Sequence, residues 1–293
     1  MGYLYLTLAL LGGLIKGFLG KRVSNDVHNL KDCIYVNFLR LLFCAIISFV
    51  ILISQQNFII PSITEIPFYI FSAVCMASFC IVFMFGYKTA AYMFLSLFGM
   101  LGAVITGLLG YFIYKEPLSF GKIIGMLFLI SAMVIMSKYN KAITLKDTKK
   151  ILPILILASV SVALSDFSQK IFVHEIGRNA AEYNFYTYGF SALLLIPALF
   201  ISKGSLKANG APLLSVRHTV LCFLIAAALF MNSFSKTLAA NFLTSAEIYP
   251  VLQGANLIAS AILAQILLRE KITPRALTGI SVAFIGLLLM NLC

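Results

Sequence analysis

Two stretches, "YKEPLSFGKIIG" (114–125) and "LREKITPRALTG" (268–279), decide how the fold is read. Each carries a basic residue followed by glutamate: Lys115–Glu116 in the first, Arg269–Glu270 in the second. Each has a hydroxyl three positions later (Ser119, Thr273) and a closing glycine (Gly125, Gly279), at a constant offset of 154 in a chain of 293 residues. A motif repeated half a chain apart predicts an internal duplication.

The flanking composition identifies the medium. The chain is 61% hydrophobic and 11% charged, against about 25% charged in soluble domains, so it reads as an integral membrane protein. The net charge of +12 falls mainly between apolar runs. That pattern sets orientation and attracts anionic lipid, and it lacks the basic face of a nucleic-acid binder. Six cysteines form no C-x-x-C pair, and most lie inside apolar runs as small hydrophobes. His28, His174 and His218 stand in or beside connections without ligand spacing. No metal or cofactor is implied. The N-terminus reads as a retained first span, with no basic segment or cleavage site before the apolar run.

Ten apolar runs are long enough to cross a bilayer as helices, which need roughly 20 residues. They lie near 3–20, 33–54, 66–87, 91–113, 120–138, 151–173, 182–202, 217–237, 246–268 and 275–292. Continuous runs of this length are not the alternating strands of a barrel, and backbone groups in lipid must be satisfied internally. Ser119 is placed to cap span five, and Thr273 followed by Pro274 to cap span ten. The most polar connection, "SKYNKAITLKDTKK" (137–150), stands near the middle. It divides the chain into a first five-helix repeat (1–140), a linker (141–150) and a second repeat (151–293). Further echoes are "GYKTAAYMF" (86–94) with "FSKTLAANF" (234–242), and "GKRV" ending span one with "QKIFV" ending span six. An odd number of spans per repeat places the two in opposite orientations, the inverted design of secondary transporters. The expected class is all-α, with ten transmembrane helices in two inverted repeats.

With these features the chain resembles the drug/metabolite transporter superfamily, in its ten-helix EamA-type branch. The resemblance rests on the 5+5 repeat, the glutamates after spans four and nine, and the glycine early in spans five and ten. It also rests on Arg40 in "NFLRLLF", the basic residue ending spans one and six, and Pro250 in "AEIYPVLQGAN". Three features depart from the pattern. The chain has no Trp, Ser96 stands at the span-four counterpart of Pro250, and span one carries Lys16 and no acid. The last speaks against cationic-drug/proton antiport. The resemblance implies a membrane transporter and no enzyme.

A charge at helix centre costs about 2.5–3.5 kcal/mol on insertion scales, so polar groups at depth are the candidates for function. They are Lys16 among glycines in span one, Asn37 and Arg40 on one face of span two, and Asp166 in span six. Asn184 and Tyr188 in span seven and Glu247, Gln253 and Asn256 along span nine complete the set, with Pro250 as a helix kink. Asp166 and Lys170 share a face, and an internal i,i+4 ion pair is the plainer reading of them. Lys16 snorkelling to the interface is the plainer reading there. Asn232 and Lys236 read as interhelical or interfacial anchors. A cavity lined by spans one, two, six, seven and nine is expected.

The connections on the N-terminal side (side A) carry five basic residues and those on the other (side B) fifteen. The positive-inside rule then puts side B in the cytoplasm and both termini outside, whereas relatives are described with both termini inside. The function expected is alternating-access transport of a small zwitterionic or anionic metabolite, amino-acid-like by preference, with the proton as candidate coupling ion. The partners expected are the substrate and the bilayer of a bacterial cell membrane, the chain acting as monomer or homodimer. Lipid-linked cargo is the alternative, and an intramembrane enzyme a more distant one.

Overall fold

The computed structural model of the protein describes residues 1–56, 58–89, 92–137, 145–202, 207–208, 211–212, 215–267 and 274–292. Ten α-helices account for nearly all of them: α1 (Gly2–Ser24), α2 (Leu30–Ser54), α3 (Ile66–Thr89), α4 (Tyr92–Tyr114), α5 (Phe120–Ser137), α6 (Leu145–Ile171), α7 (Ala180–Ile201), α8 (Val216–Ala239), α9 (Ser245–Leu267) and α10 (Pro274–Leu292). Among the described residues, seven helices are long and apolar enough to span a membrane, and three shorter apolar segments lie in α4, α5 and α10. A π-helical turn, Phe172–Ile176, closes α6. Residues 207–208 pair with 211–212 in the α7–α8 connection.

The turn that opened the sequence reading shows why α4 and α5 are separate. Lys115 adopts a left-handed backbone conformation (φ 51°), and the Glu116 amide returns to the Gly110 carbonyl at 3.4 Å. This is how helices commonly end. Pro117 cannot continue the ladder, and Ser119 Oγ then accepts from the Lys122 amide at 3.3 Å, capping α5. The counterpart around Arg269, Glu270 and Thr273 lies outside the described residues, but Pro274 does open α10, where proline's missing N–H costs nothing. Part of the polar stretch expected as linker is helical. Residues 145–150 already belong to α6, because "LKDTKK" contains no glycine or proline to stop a helix growing back from the apolar run. Residues 138–144 lie outside the described set.

Each helix packs most extensively against one from the other half: α1 and α8 on each other, likewise α2 and α7, α4 and α9, and α5 and α10, while α3 packs most on α6, and α6 on α4 with α3 next. Small residues permit this. A Cβ on Gly12 would sit 2.7 Å from the Ala228 carbonyl of α8, and one on Gly286 would sit 2.8 Å from the Gly125 carbonyl of α5. Van der Waals contact of this closeness, with interhelical hydrogen bonds, holds helices together in lipid. Large apolar side chains such as Phe112 and Phe200 point outward. Polar ones such as Asn37, Asp166, Gln169 and Asn184 are buried.

Candidate functional site

A cavity opens between α1, α3, α4, α6, α8 and α9. Its free space is about 70 Å³, well under the ~300–1,000 Å³ of sites for drug-sized ligands. Phe79, Phe83, Met76 and Leu229 supply apolar wall. Among the described residues, three charges line it: Lys16 from α1, Asp166 from α6 and Lys236 from α8.

These charges are unequally matched. Asp166 Oδ1 is ion-paired with Lys236 Nζ, which also lies 6.0 Å from the Tyr249 ring centroid. Asp166 Oδ2 is buried with no partner among the described residues. Among the described residues, Lys16 Nζ is in direct contact with neutral groups, Asn232 Oδ1 at 3.4 Å and the Phe79 ring at 5.2 Å. Asn232 is held for this contact, since its Nδ2 donates to the Ala9 carbonyl at 2.6 Å. Around them runs a relay of neutral groups. Gln169 Nε2 donates to Ser233 Oγ at 2.8 Å, Ser233 Oγ donates to Asn184 Oδ1 at 2.7 Å, and Asn184 Nδ2 donates to the Ala180 carbonyl at 3.0 Å. Gln169 Oε1 has no partner among the described residues.

Of the residues singled out in the sequence, the fold brings Lys16, Asp166, Gln253 and Asn256 together at the cavity. The others stand elsewhere. Asn37 and Arg40 are buried in α2 and engage each other, Arg40 NH1 donating to Asn37 Oδ1 at 2.8 Å while Asn37 Nδ2 donates to the Cys33 carbonyl at 2.9 Å. Tyr188 is fully buried in the apolar wall between α2, α7 and α8, and Asn184 touches the cavity only through Ser233. The second and seventh spans thus stand behind the lining. They pack chiefly on each other, and α3, α4 and α8 take the places expected for them. Glu247 lies at the start of α9, where it binds Lys122 at 3.0 Å and accepts from the Thr244 amide at 2.8 Å. Pro250 sits inside α9, which continues through it.

The expected Asp166–Lys170 pair does not form. Sharing a helix face leaves both free to reach sideways, and each finds its partner on a neighbour at its own depth. Asp166 takes Lys236. Lys170, one turn nearer side A, takes Glu116 at 2.6 Å. The other oxygen of Glu116 accepts from the Ser245 amide at 2.7 Å, capping α9. Further contacts join the two halves at this end: Glu65–Arg178 at 2.7 Å and Tyr69 OH to Glu182 Oε1 at 2.9 Å. The Glu182 carboxylate, hydrogen-bonded to Arg178, holds that guanidinium's pKa above its usual value. Among the described residues, side B has one inter-half ion pair, Asp26–His218 at 3.2 Å.

The model of the EamA-like transporter family matches residues 1–138 and again 149–292. The chain belongs to the EamA-like transporter family. As a member, it is a multi-pass membrane protein of a family of transporters. A solved structure, titled only "Crystal structure of protein", superposes with a TM-score of 0.71 at 12% identity, covering 97% of this EamA-like chain and 98% of the other. That likeness concerns the fold alone. No curated protein matches the sequence.

The sequence reading missed Lys236, Asn232, Ser233 and Gln169 as cavity residues of this EamA-like protein. One signal was available. Asp166 is an acid inside a span and needs a cation at equal depth. Lys236 stands about as far from the end of α8 as Asp166 does from the end of α6.

Proposed function

We propose that the protein is a secondary transporter that carries a small zwitterionic or anionic metabolite, amino-acid-like by preference, through the cavity by alternating access. The observation that carries this reading is the cavity's mixed lining. Both halves contribute to it, Lys16 from the first and Asp166 and Lys236 from the second. A site built from both repeats is where a rocking motion exposes a solute to either side in turn.

The inverted-repeat reading, with repeats at 1–140 and 151–293, is supported by the packing order. Exchanging each helix with the one five places along turns α1–α8 into α6–α3. It leaves α2–α7, α4–α9 and α5–α10 unchanged. The two family matches, one per half, support it as well.

Alternating access is supported by the asymmetry between the two ends. Ion pairs tie the halves together on side A, as in a state closed there. We place the protein in a bacterial cell membrane, with the proton as candidate coupling ion.

The test is counterflow in proteoliposomes loaded with pooled labelled metabolites, run with and without a proton gradient. Exchange of acidic or amino-acid-like solutes bears the reading out. Absence of exchange for every soluble compound refutes it and points to lipid-linked cargo.

A further inference from the structure

Lys170 stands between two carboxylates, and the second has an oxygen to spare. Its nearly buried ammonium lies 2.6 Å from Glu116 and also donates to the Leu243 carbonyl at 3.3 Å. Glu116 belongs to the α4–α5 turn and is tied by its other oxygen to the Ser245 amide that opens α9. Opening of side A that parts α6 from this turn therefore leaves Glu116 behind with α9. A buried ammonium stripped of its carboxylate is strongly destabilised, so Lys170 needs a second partner if side A is to open.

The partner is on α6 itself. Asp166 precedes Lys170 by four residues, and acid before base at this spacing is the arrangement that favours an ion pair within one helix. Asp166 Oδ1 is taken by Lys236, while Oδ2 is buried with no partner among the described residues. A buried acceptor without a donor is itself unfavourable, so the seat exists before Lys170 takes it. Glu175, beyond the end of α6, is largely exposed and adjoins His174, which makes it the poorer partner for a buried cation.

We propose, on the alternating-access reading above, that Lys170 has two stations: Glu116 when side A is closed and Asp166 Oδ2 when it is open. In the second station Asp166 faces two ammonium groups, Lys170 and Lys236. Its hold on Lys236, which lines the cavity, weakens accordingly. Opening at side A thereby changes the charge presented to the cavity. The dependence runs both ways: whatever draws Lys236 from Asp166 leaves that carboxylate to Lys170 and favours opening. Lys170 is a positioning residue in this scheme. It couples gate to cavity through α6.

The experiment is a set of thermal unfolding midpoints of the full chain in detergent. Glu116→Gln removes the first station, Asp166→Asn the second, and the double variant both. The double variant is expected to lose more than the sum of the two single shifts, because only there is Lys170 without a carboxylate. In a Lys170→Gln background, with no cation to strand, the same shifts are expected to add, as independent changes do. If Asp166→Asn alone does not fold, the shift caused by Glu116→Gln is measured on Asp166→Asn/Lys236→Gln, which removes both charges of the cavity pair, and is expected to exceed the shift in wild type. Additive shifts with Lys170 present, or an excess that survives Lys170→Gln, overturn the proposal.

A second readout separates the switch from plain stability. Gln253→Cys places a thiol at the cavity, and an impermeant maleimide added on side A is expected to label it faster when Glu116→Gln is present. Adding Asp166→Asn is expected to reverse that gain, since Lys170 then has no partner in the open state. No acceleration by Glu116→Gln, or acceleration that Asp166→Asn leaves intact, overturns the two-station scheme. The transporter reading stands or falls separately, on counterflow by the wild-type protein.

Discussion

Glu116, in the turn between α4 and α5, lies 2.6 Å from Lys170 at the end of α6 and accepts from the Ser245 amide at the start of α9. One carboxylate thereby fixes two helices of the opposite half on side A. Both side chains of the ion pair are nearly buried, 12% and 8% exposed. Removing one partner of such a pair typically costs about 3–5 kcal/mol. Glu116→Gln is therefore expected to favour states open on side A. The readout is labelling of Ser165→Cys, a sheltered cavity position, by a membrane-impermeant maleimide added on side A. Labelling should accelerate in the Glu116→Gln background. An unchanged rate would remove Glu116 from any role in closing that side. The described native thiols are buried, which keeps the background low.

The relay Gln169–Ser233–Asn184 depends on one hydroxyl that both donates and accepts. Ser233→Ala leaves Gln169 Nε2 and Asn184 Oδ1 without a partner in a buried setting, a loss of about 1–3 kcal/mol. A lower midpoint of thermal unfolding in detergent is the outcome expected. Ser131→Ala serves as control, since its hydroxyl bonds only its own helix at an exposed position.

Glycine tolerance should follow helix contacts. A Cβ on Gly12 would stand 2.7 Å from both the Ala228 carbonyl and the Asn232 amide of α8, backbone atoms that cannot swing aside, whereas one on Gly189 would meet nothing within 4 Å. Gly12→Ala should destabilise by about 1–3 kcal/mol, as overpacking does, and Gly189→Ala should leave the unfolding midpoint within experimental error or raise it. Equal effects at the two positions would contradict the α1–α8 packing described.

By the positive-inside rule, the excess of basic residues on side B predicts that side A faces out of the cell. A thiol introduced at Asn241, in the α8–α9 connection on side A, should react with an impermeant maleimide added to intact cells. Reaction only after permeabilisation would reverse the orientation.

Much of the fold was legible because the bilayer imposes it. Runs such as 33–54 and 217–237 must be helical in lipid, and the structure returns them as α2 and α8 within a few residues. The turn at Lys115–Ser119 was legible too, because proline and a capping serine act locally. The cavity was legible in part. Gln253 and Asn256 share a face of α9, and periodicity alone put them together. Partner choice was not legible. Asp166 could reach Lys170 within its own helix or Lys236 on α8, and only the helix packing decides between them. Arg40 shows the converse: a charge at depth drew attention, yet its contact is Asn37 on its own helix, behind the lining.

The central claim is that solute passes through this cavity, and Gly13 tests it most directly. A Cβ there would lie 3.1 Å from Asn256 Oδ1 and 3.2 Å from Asn232 Nδ2, so Gly13→Leu fills the space beside Lys16. The measurement is counterflow of labelled pooled amino acids in proteoliposomes carrying equal amounts of wild type and Gly13→Leu, each verified as folded by its unfolding midpoint. The result expected is exchange by the wild type and its loss by roughly tenfold or more in a folded variant, since an occluded site costs at least one contact's worth of binding. Undiminished exchange by a folded Gly13→Leu protein would contradict the account, because the solute would then be taking another route.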